Sequence, residues 1–75
     1  MYHLEFEYID ANGELYGTGV DKEKLTTFDD IFNRIKVFEE YWKKNGFKLR
    51  FKAGTYFRYH NDKTGEDWKI KVVCN

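Results

Sequence analysis

Residues 26–46 read TTFDDIFNRIKVFEEYWKKNG, and this stretch decides the fold. At about 100° per residue, Phe28, Ile31, Phe32, Ile35, Phe38 and Trp42 fall within a stripe about 120° wide, the core-facing arc of an amphipathic helix. Thr26 or Thr27 precedes Asp29 and Asp30 at capping-box-like spacing, and acidic residues suit the positive start of a helix. Lys43 and Lys44 fall in the last turn and Asn45-Gly46 offers a left-handed cap, so the helix is expected to stop near residue 45. Val37 and Tyr41 lie off the stripe, one turn apart, as two exposed apolar residues able to seed a small protein interface.

Outward from the helix, both flanks read as strands. On the N-terminal side, Tyr2 to Ile9 alternates Leu4, Phe6 and Tyr8 with His3, Glu5 and Glu7. The turn Asp10-Ala11-Asn12-Gly13 has two readings. A type I′ turn opposes Phe6 to Gly19 and Leu4 to Asp21, whereas a type I turn with Gly13 left-handed opposes Leu4 to Val20, Phe6 to Thr18 and Tyr8 to Tyr16. The second keeps apolar side chains on one face and is preferred.

On the C-terminal side Phe47 starts a strand. A bulged turn at Phe51-Lys52-Ala53-Gly54 opposes Leu49 to Phe57 and Phe47 to Tyr59. A three-residue loop within Asp62-Lys63-Thr64-Gly65 would put Arg58 and His60 on the core face. A four-residue loop from Lys63 to Glu66 instead opposes Phe57 to Val72 and Tyr59 to Ile70, which burial favours. The element order is ββαβββ, which predicts a single α+β domain over residues 1–75: a mainly antiparallel five-stranded sheet with one helix on one face.

The chain has 75 residues, 13 Lys plus Arg against 13 Asp plus Glu, one Cys, no Pro and 15 aromatics among seven Phe, six Tyr and two Trp. So short a chain buries about 60 to 65 % of its unfolded surface, and the rings must supply much of the core. Cys74 alone excludes an intramolecular disulfide or a multi-thiolate metal site. With no long apolar run and no leader-like start, the expectation is a cytoplasmic protein of the host cell, without membrane contact or cofactor.

The residues offer little to catalysis, and no enzyme is expected. There is no Ser, and Cys74 is penultimate, where a chain end frays. His3 and His60 form no close-spaced ligand pair. If neighbouring strands bring His60 near Glu5 or Glu7, an acid/base pair of the kind small nucleases use becomes conceivable. Asp29 with Asp30 and Glu39 with Glu40 diverge by about 100° on a helix and converge on nothing. Gly17-Thr18-Gly19 falls within a strand, so it marks a bend or a bare strip for close approach of another chain, not a phosphate cradle. Such a Gly-bearing edge could also pair two copies, leaving monomer and homodimer open.

Zero net charge hides a split molecule. Residues 1–31 carry eight acids and two bases, and the remainder balances them. The outward set of the last three strands is Lys48, Arg50, Lys52, Tyr56, Arg58, His60, Lys69 and Lys71, a basic face with an aromatic interleaved, suited to phosphate backbones or acidic protein patches. The competing reading is a self-neutralised ladder. If the first strand lies beside the third or the fifth, Glu5 and Glu7 face Lys48, Arg50, Lys69 or Lys71, each pair contributing about 0.2 to 1 kcal/mol.

The layout of hairpin, capped helix and three-stranded meander resembles several small phage-borne anti-CRISPR proteins. The resemblance covers the element order of the whole chain and implies stoichiometric inhibition: a larger CRISPR-Cas effector complex bound at its nucleic-acid-handling surface, without chemistry. Candidate contacts are Lys48, Arg50, Tyr56, Arg58, His60, Lys69 and Lys71, with Glu5, Glu7 and Asp21 offering the opposite charge to a basic channel. The alternative is direct nucleic-acid binding by the basic face, with a small nuclease as a third reading.

Overall fold

The computed structural model describes residues 1–75. The elements are β1 (Tyr2–Ile9), β2 (Leu15–Leu25), α1 (Phe28–Lys44), β3 (Phe47–Ala53), β4 (Tyr56–Asn61) and β5 (Asp67–Cys74). All five strands pair antiparallel in the order β2-β1-β5-β4-β3. With α1 across one face, this is the two-layer α+β architecture expected from the alternation. Strand β5 enters between the two hairpins and pairs with β1 from Tyr2–Cys74 to Ile9–Asp67, so the chain end is held in the sheet rather than frayed.

Helix α1 begins where its cap chemistry dictates. Thr27 is the N-cap: its hydroxyl accepts from the Asp30 N–H at 3.1 Å, while the Asp30 carboxylate accepts from the backbone N–H groups of Thr26 and Thr27. Those donors, led by the Thr26 side chain, hold Asp30 below the ordinary carboxylate range. The helix ends at Lys44, and Gly46 (φ +90°) takes the left-handed position beyond the cap.

Ile31, Ile35 and Trp42 are buried beneath the helix with Leu4, Phe6, Leu25, Phe47, Phe57, Tyr59 and Ile70. Trp42 is central: its ring lies 5.4 Å from Trp68 and nearly parallel to it, 5.0 Å from Tyr59 and 6.0 Å from Phe6. Two members of the predicted stripe stay outside. Phe28 is 70 % exposed and stacks on Tyr2, and Phe32 is 47 % exposed beneath the Lys52 ammonium. The sheet therefore covers a narrower arc than the apolar stripe spans.

Every hairpin register departs from the preferred one. The β1–β2 turn is the type I form with Gly13 left-handed (φ +81°), closed by Gly13 N–H to Asp10 C=O and Asp10 N–H to Glu14 C=O, both 2.9 Å. Beyond it, Ile9 faces Leu15 but Tyr8 faces Gly17, so Tyr16 is an extra residue that shifts the ladder by one. Phe6 then faces Gly19 and Leu4 faces Asp21, the pairing of the rejected turn; the Leu4–Val20, Phe6–Thr18 and Tyr8–Tyr16 pairs do not form. Burial does not forbid this because β2 is an edge strand, and Asp21 gains a cation from the helix.

Between β3 and β4 the loop is Gly54-Thr55, not the bulged turn, and the pairs are Phe47–Asn61 and Leu49–Tyr59. Arg50 is the extra residue there. Past it Phe51 faces Arg58 and Lys52 faces Phe57, so Lys52 joins the helix side and Phe51 the open side. Asn61 N–H donates to Glu66 C=O at 2.9 Å, so the β4–β5 turn encloses four residues, but they are Asp62 to Gly65, and Phe57 faces Ile70 while Tyr59 faces Trp68. Asn61 sets this position: its side-chain oxygen accepts from the N–H of Lys63 and Thr64, and its carbonyl from Gly65. A two-residue slip preserves the faces, which is why burial alone could not select it.

Candidate functional site

The open face of the sheet can be laid out in rows from the pairings. One row runs Val20, Glu5, Lys71, Tyr56; the next Thr18, Glu7, Lys69, Arg58, Phe51; the third Ile9, Asp67, His60, Lys48. Lys48, Tyr56, Arg58, His60, Lys69, Lys71, Glu5 and Glu7 therefore share this face as expected, and Lys52 does not. The Lys52 ammonium sits 5.5 Å from the Phe57 ring on the opposite side.

In the first two rows an acid of β1 faces a base of β5. Glu5 lies opposite Lys71 and Glu7 opposite Lys69, the cross-strand ladder weighed above, although neither pair closes within 4 Å. Arg58 stands beside Lys69, and the repulsion is relieved by Asp67, whose buried carboxylate is shared by Arg58 and by His60 Nδ1. Burial alone would raise the Asp67 pKa, but the bonds from His60 and Arg58 outweigh it and hold this carboxyl below its ordinary value. His60 thus meets Asp67, and its Nε2 lies 3.6 Å from Asp62, not near Glu5 or Glu7. Glu5 instead holds His3, whose imidazole bonds to Glu5 at 2.9 Å and also to Asn75; these two bonds raise its pKa.

What remains unmatched is a corner at β3. Lys48 and Arg50 have no acid across the strand and no carboxylate within 4 Å, and with Leu49, His60 and Asp62 they line a cleft of about 420 Å³. Beside them Phe51, 51 % exposed, meets Tyr56 edge-on at 5.9 Å. Phe51 was missed by sequence reading because its outward face depends on the Arg50 bulge. No group of three or more His, Cys, Asp or Glu side chains gathers closely enough to hold a metal ion, and no helix is long and apolar enough to cross a membrane.

The helix side carries a second feature. Residues of β2 facing α1 are Gly17, Gly19 and Asp21, so its outer part presents bare backbone there. A groove of about 680 Å³ results, floored by Phe6, Tyr8, Phe38, Trp42 and Trp68 and walled by β2 on one side and Val37 and Tyr41 on the other. Next to it along β2, the Arg34 guanidinium donates to both oxygens of Asp21 at 2.7 and 3.0 Å and lies over the Phe38 ring. The bond from Arg34 lowers the Asp21 pKa, and Asp21 raises that of Arg34. Of the eight acids in residues 1–31, four are engaged within the fold: Asp21 by Arg34, Glu5 by His3, and Asp30 and Asp10 by caps and turns. Comparisons with protein-family models, with curated proteins and with solved structures give no match.

Proposed function

We propose that the chain is a non-catalytic binding protein that seats an acidic patch of a larger protein on the β3–β4 corner of its open sheet face. The observation that carries this reading is the unmatched pair Lys48 and Arg50 next to the exposed Phe51–Tyr56 rings. Arg and aromatic side chains are the types that dominate binding energy at protein interfaces. Scale separates this from direct nucleic-acid binding. Affinity for a nucleic-acid backbone grows with the number of phosphates neutralised, whereas beyond Lys48 and Arg50 the cations of this face are set against Glu5, Glu7 and Asp67. The layout resemblance makes a CRISPR-Cas effector complex the first partner to test, and stoichiometric blocking the expected mode of action.

The test is DNA cleavage by a guide-loaded effector with increasing amounts of the protein, beside the double variant Lys48→Glu/Arg50→Glu. Inhibition saturating near one equivalent, weakened about tenfold or more in the variant, supports the reading; tenfold corresponds to about 1.4 kcal/mol. Unchanged cleavage at large excess removes the effector as partner. Strongly salt-dependent binding to a bare oligonucleotide, lost in the same variant, would favour the nucleic-acid alternative.

A further inference from the structure

The groove between α1 and β2 ends at an unpaired sheet edge, since nothing pairs with the outer side of β2. Natural edges are usually protected by charge, proline, a bulge or a covering element; in β2 the Tyr16 bulge and the charged run Asp21–Lys24 flank Gly17–Val20, which has none of these. Here the six residues from Leu15 to Val20 carry no charge and no proline, and Leu15, Tyr16 and Val20 are each more than half exposed. We infer that the occupant of this edge and groove is a second copy of the chain, the two β2 strands pairing antiparallel about a two-fold axis at Thr18.

Three observations select this occupant. The sequence Tyr16-Gly-Thr-Gly-Val20 is nearly symmetric about Thr18, so the axis sets Gly17 of one copy against Gly19 of the other and Thr18 against itself. Cross-strand Thr–Thr pairs are favourable, and two facing glycine strips leave the helix side of both strands open.

The second observation is coverage. Five strands span roughly 19 Å at about 4.8 Å spacing, nearly twice the width of one helix of about 10 Å. A two-fold axis normal to the sheet keeps both helices on one face, where Val37 and Tyr41 of each copy meet over the glycine strips and close both grooves.

The third is area. A stable interface covers about 800 Å² per partner, close to a seventh of the 5328 Å² the chain exposes. Tyr16 and Tyr41, at 76 % and 66 % exposure, offer roughly 200–350 Å² between them. Leu15, Val20 and Val37, each more than half exposed, and the unpaired backbone add to this. The corner at Lys48 and Arg50 lies on the other face and at the other edge, so the dimer carries two such corners and does not depend on what binds them.

Sedimentation equilibrium from micromolar to millimolar concentration tests this on the full chain, with Thr18→Lys and Val37→Glu as variants at exposed positions of two different elements. The expected result is a concentration-dependent species of twice the 9.1 kDa chain mass, with both variants monomeric and unchanged in far-UV circular dichroism. Amide exchange at Gly17–Val20 slowing as wild-type concentration rises is the readout that needs no variant. A wild-type chain that stays at 9.1 kDa throughout, or a dimer with those amides unprotected or indifferent to both folded variants, overturns the inference.

Discussion

Asp67 shows how a single side chain decides what a surface can do. It lies opposite Ile9 and His60 on a central strand, is 3 % exposed, and gives one oxygen each to Arg58 and His60. Without it, Arg58 and Lys69 would stand side by side uncompensated. Asp67→Asn keeps the shape and removes the charge, so a loss of about 1–3 kcal/mol is expected, the range for a charge-assisted bond whose partners are left half-buried. Urea denaturation at neutral pH measures it. Because folding depresses this pKa, the carboxylate's stabilisation is full above the unfolded value of about 3.9 and is lost as pH falls through the lower folded value. The gap between wild type and Asp67→Asn should therefore close in acid. A gap that stays constant down to about pH 2 would mean that packing, not charge, made the difference. Sequence reading did not single out Asp67: the expected Lys63–Glu66 loop sets it opposite Asp62, and only the loop one residue earlier, held by the Asn61 side chain, brings it against His60.

At the level of elements, what was legible had strong periodicity. The alternation of β1, the helical spacing of α1 and a Thr–Asp cap at its start each bury or satisfy groups that have no other outlet, and each element appears where the pattern put it, with Thr27 as the cap and only Phe28 and Phe32 of the stripe left outside. Registers were not legible for a physical reason: Tyr16 and Arg50 sit on edge strands, where an extra residue costs little burial and flips every side chain beyond it. That is how Lys52 and Phe51 exchanged faces, and how Gly17 and Gly19 turned toward the helix. The bulge in β2 also creates the link between strand and helix, since in the expected register Asp21 would not point at Arg34. Their side chains are 10 % and 31 % exposed, so the pair is only partly screened. A double-mutant cycle of Asp21→Asn and Arg34→Gln should give a coupling on the order of 1–2 kcal/mol. The single variants should also speed amide exchange in Lys22–Leu25 more than in β5. Additive effects, with coupling below about 0.3 kcal/mol, would show that packing of Leu25 and not the ion pair holds β2 to the helix.

For the molecule as a whole, few residues bear most of the weight. Stability of roughly 0.05–0.15 kcal/mol per residue puts a chain of this length near 4–11 kcal/mol. Trp42 touches the rings of Phe6, Phe38, Tyr59 and Trp68 and joins the helix to three strands. Tyr59 in the same cluster is 1 % exposed, and burial together with its 2.7 Å bond to Glu39 pushes its phenol pKa well above the ordinary value, keeping it a neutral donor. Truncating a buried Trp to Ala typically costs about 3–5 kcal/mol, which equals or approaches the whole stability at the lower end. Trp42→Ala is therefore expected to be largely unfolded at 37 °C, seen as loss of the cooperative thermal transition in circular dichroism. Tyr41→Ala, one residue away but 66 % exposed, should shift stability by no more than about 0.5 kcal/mol. The contrast tests whether the groove wall is surplus to folding. If Tyr41→Ala proved as damaging as Trp42→Ala, the apolar residues of the outer helix face would belong to the core, and the groove would lose its standing as a surface held ready for another chain.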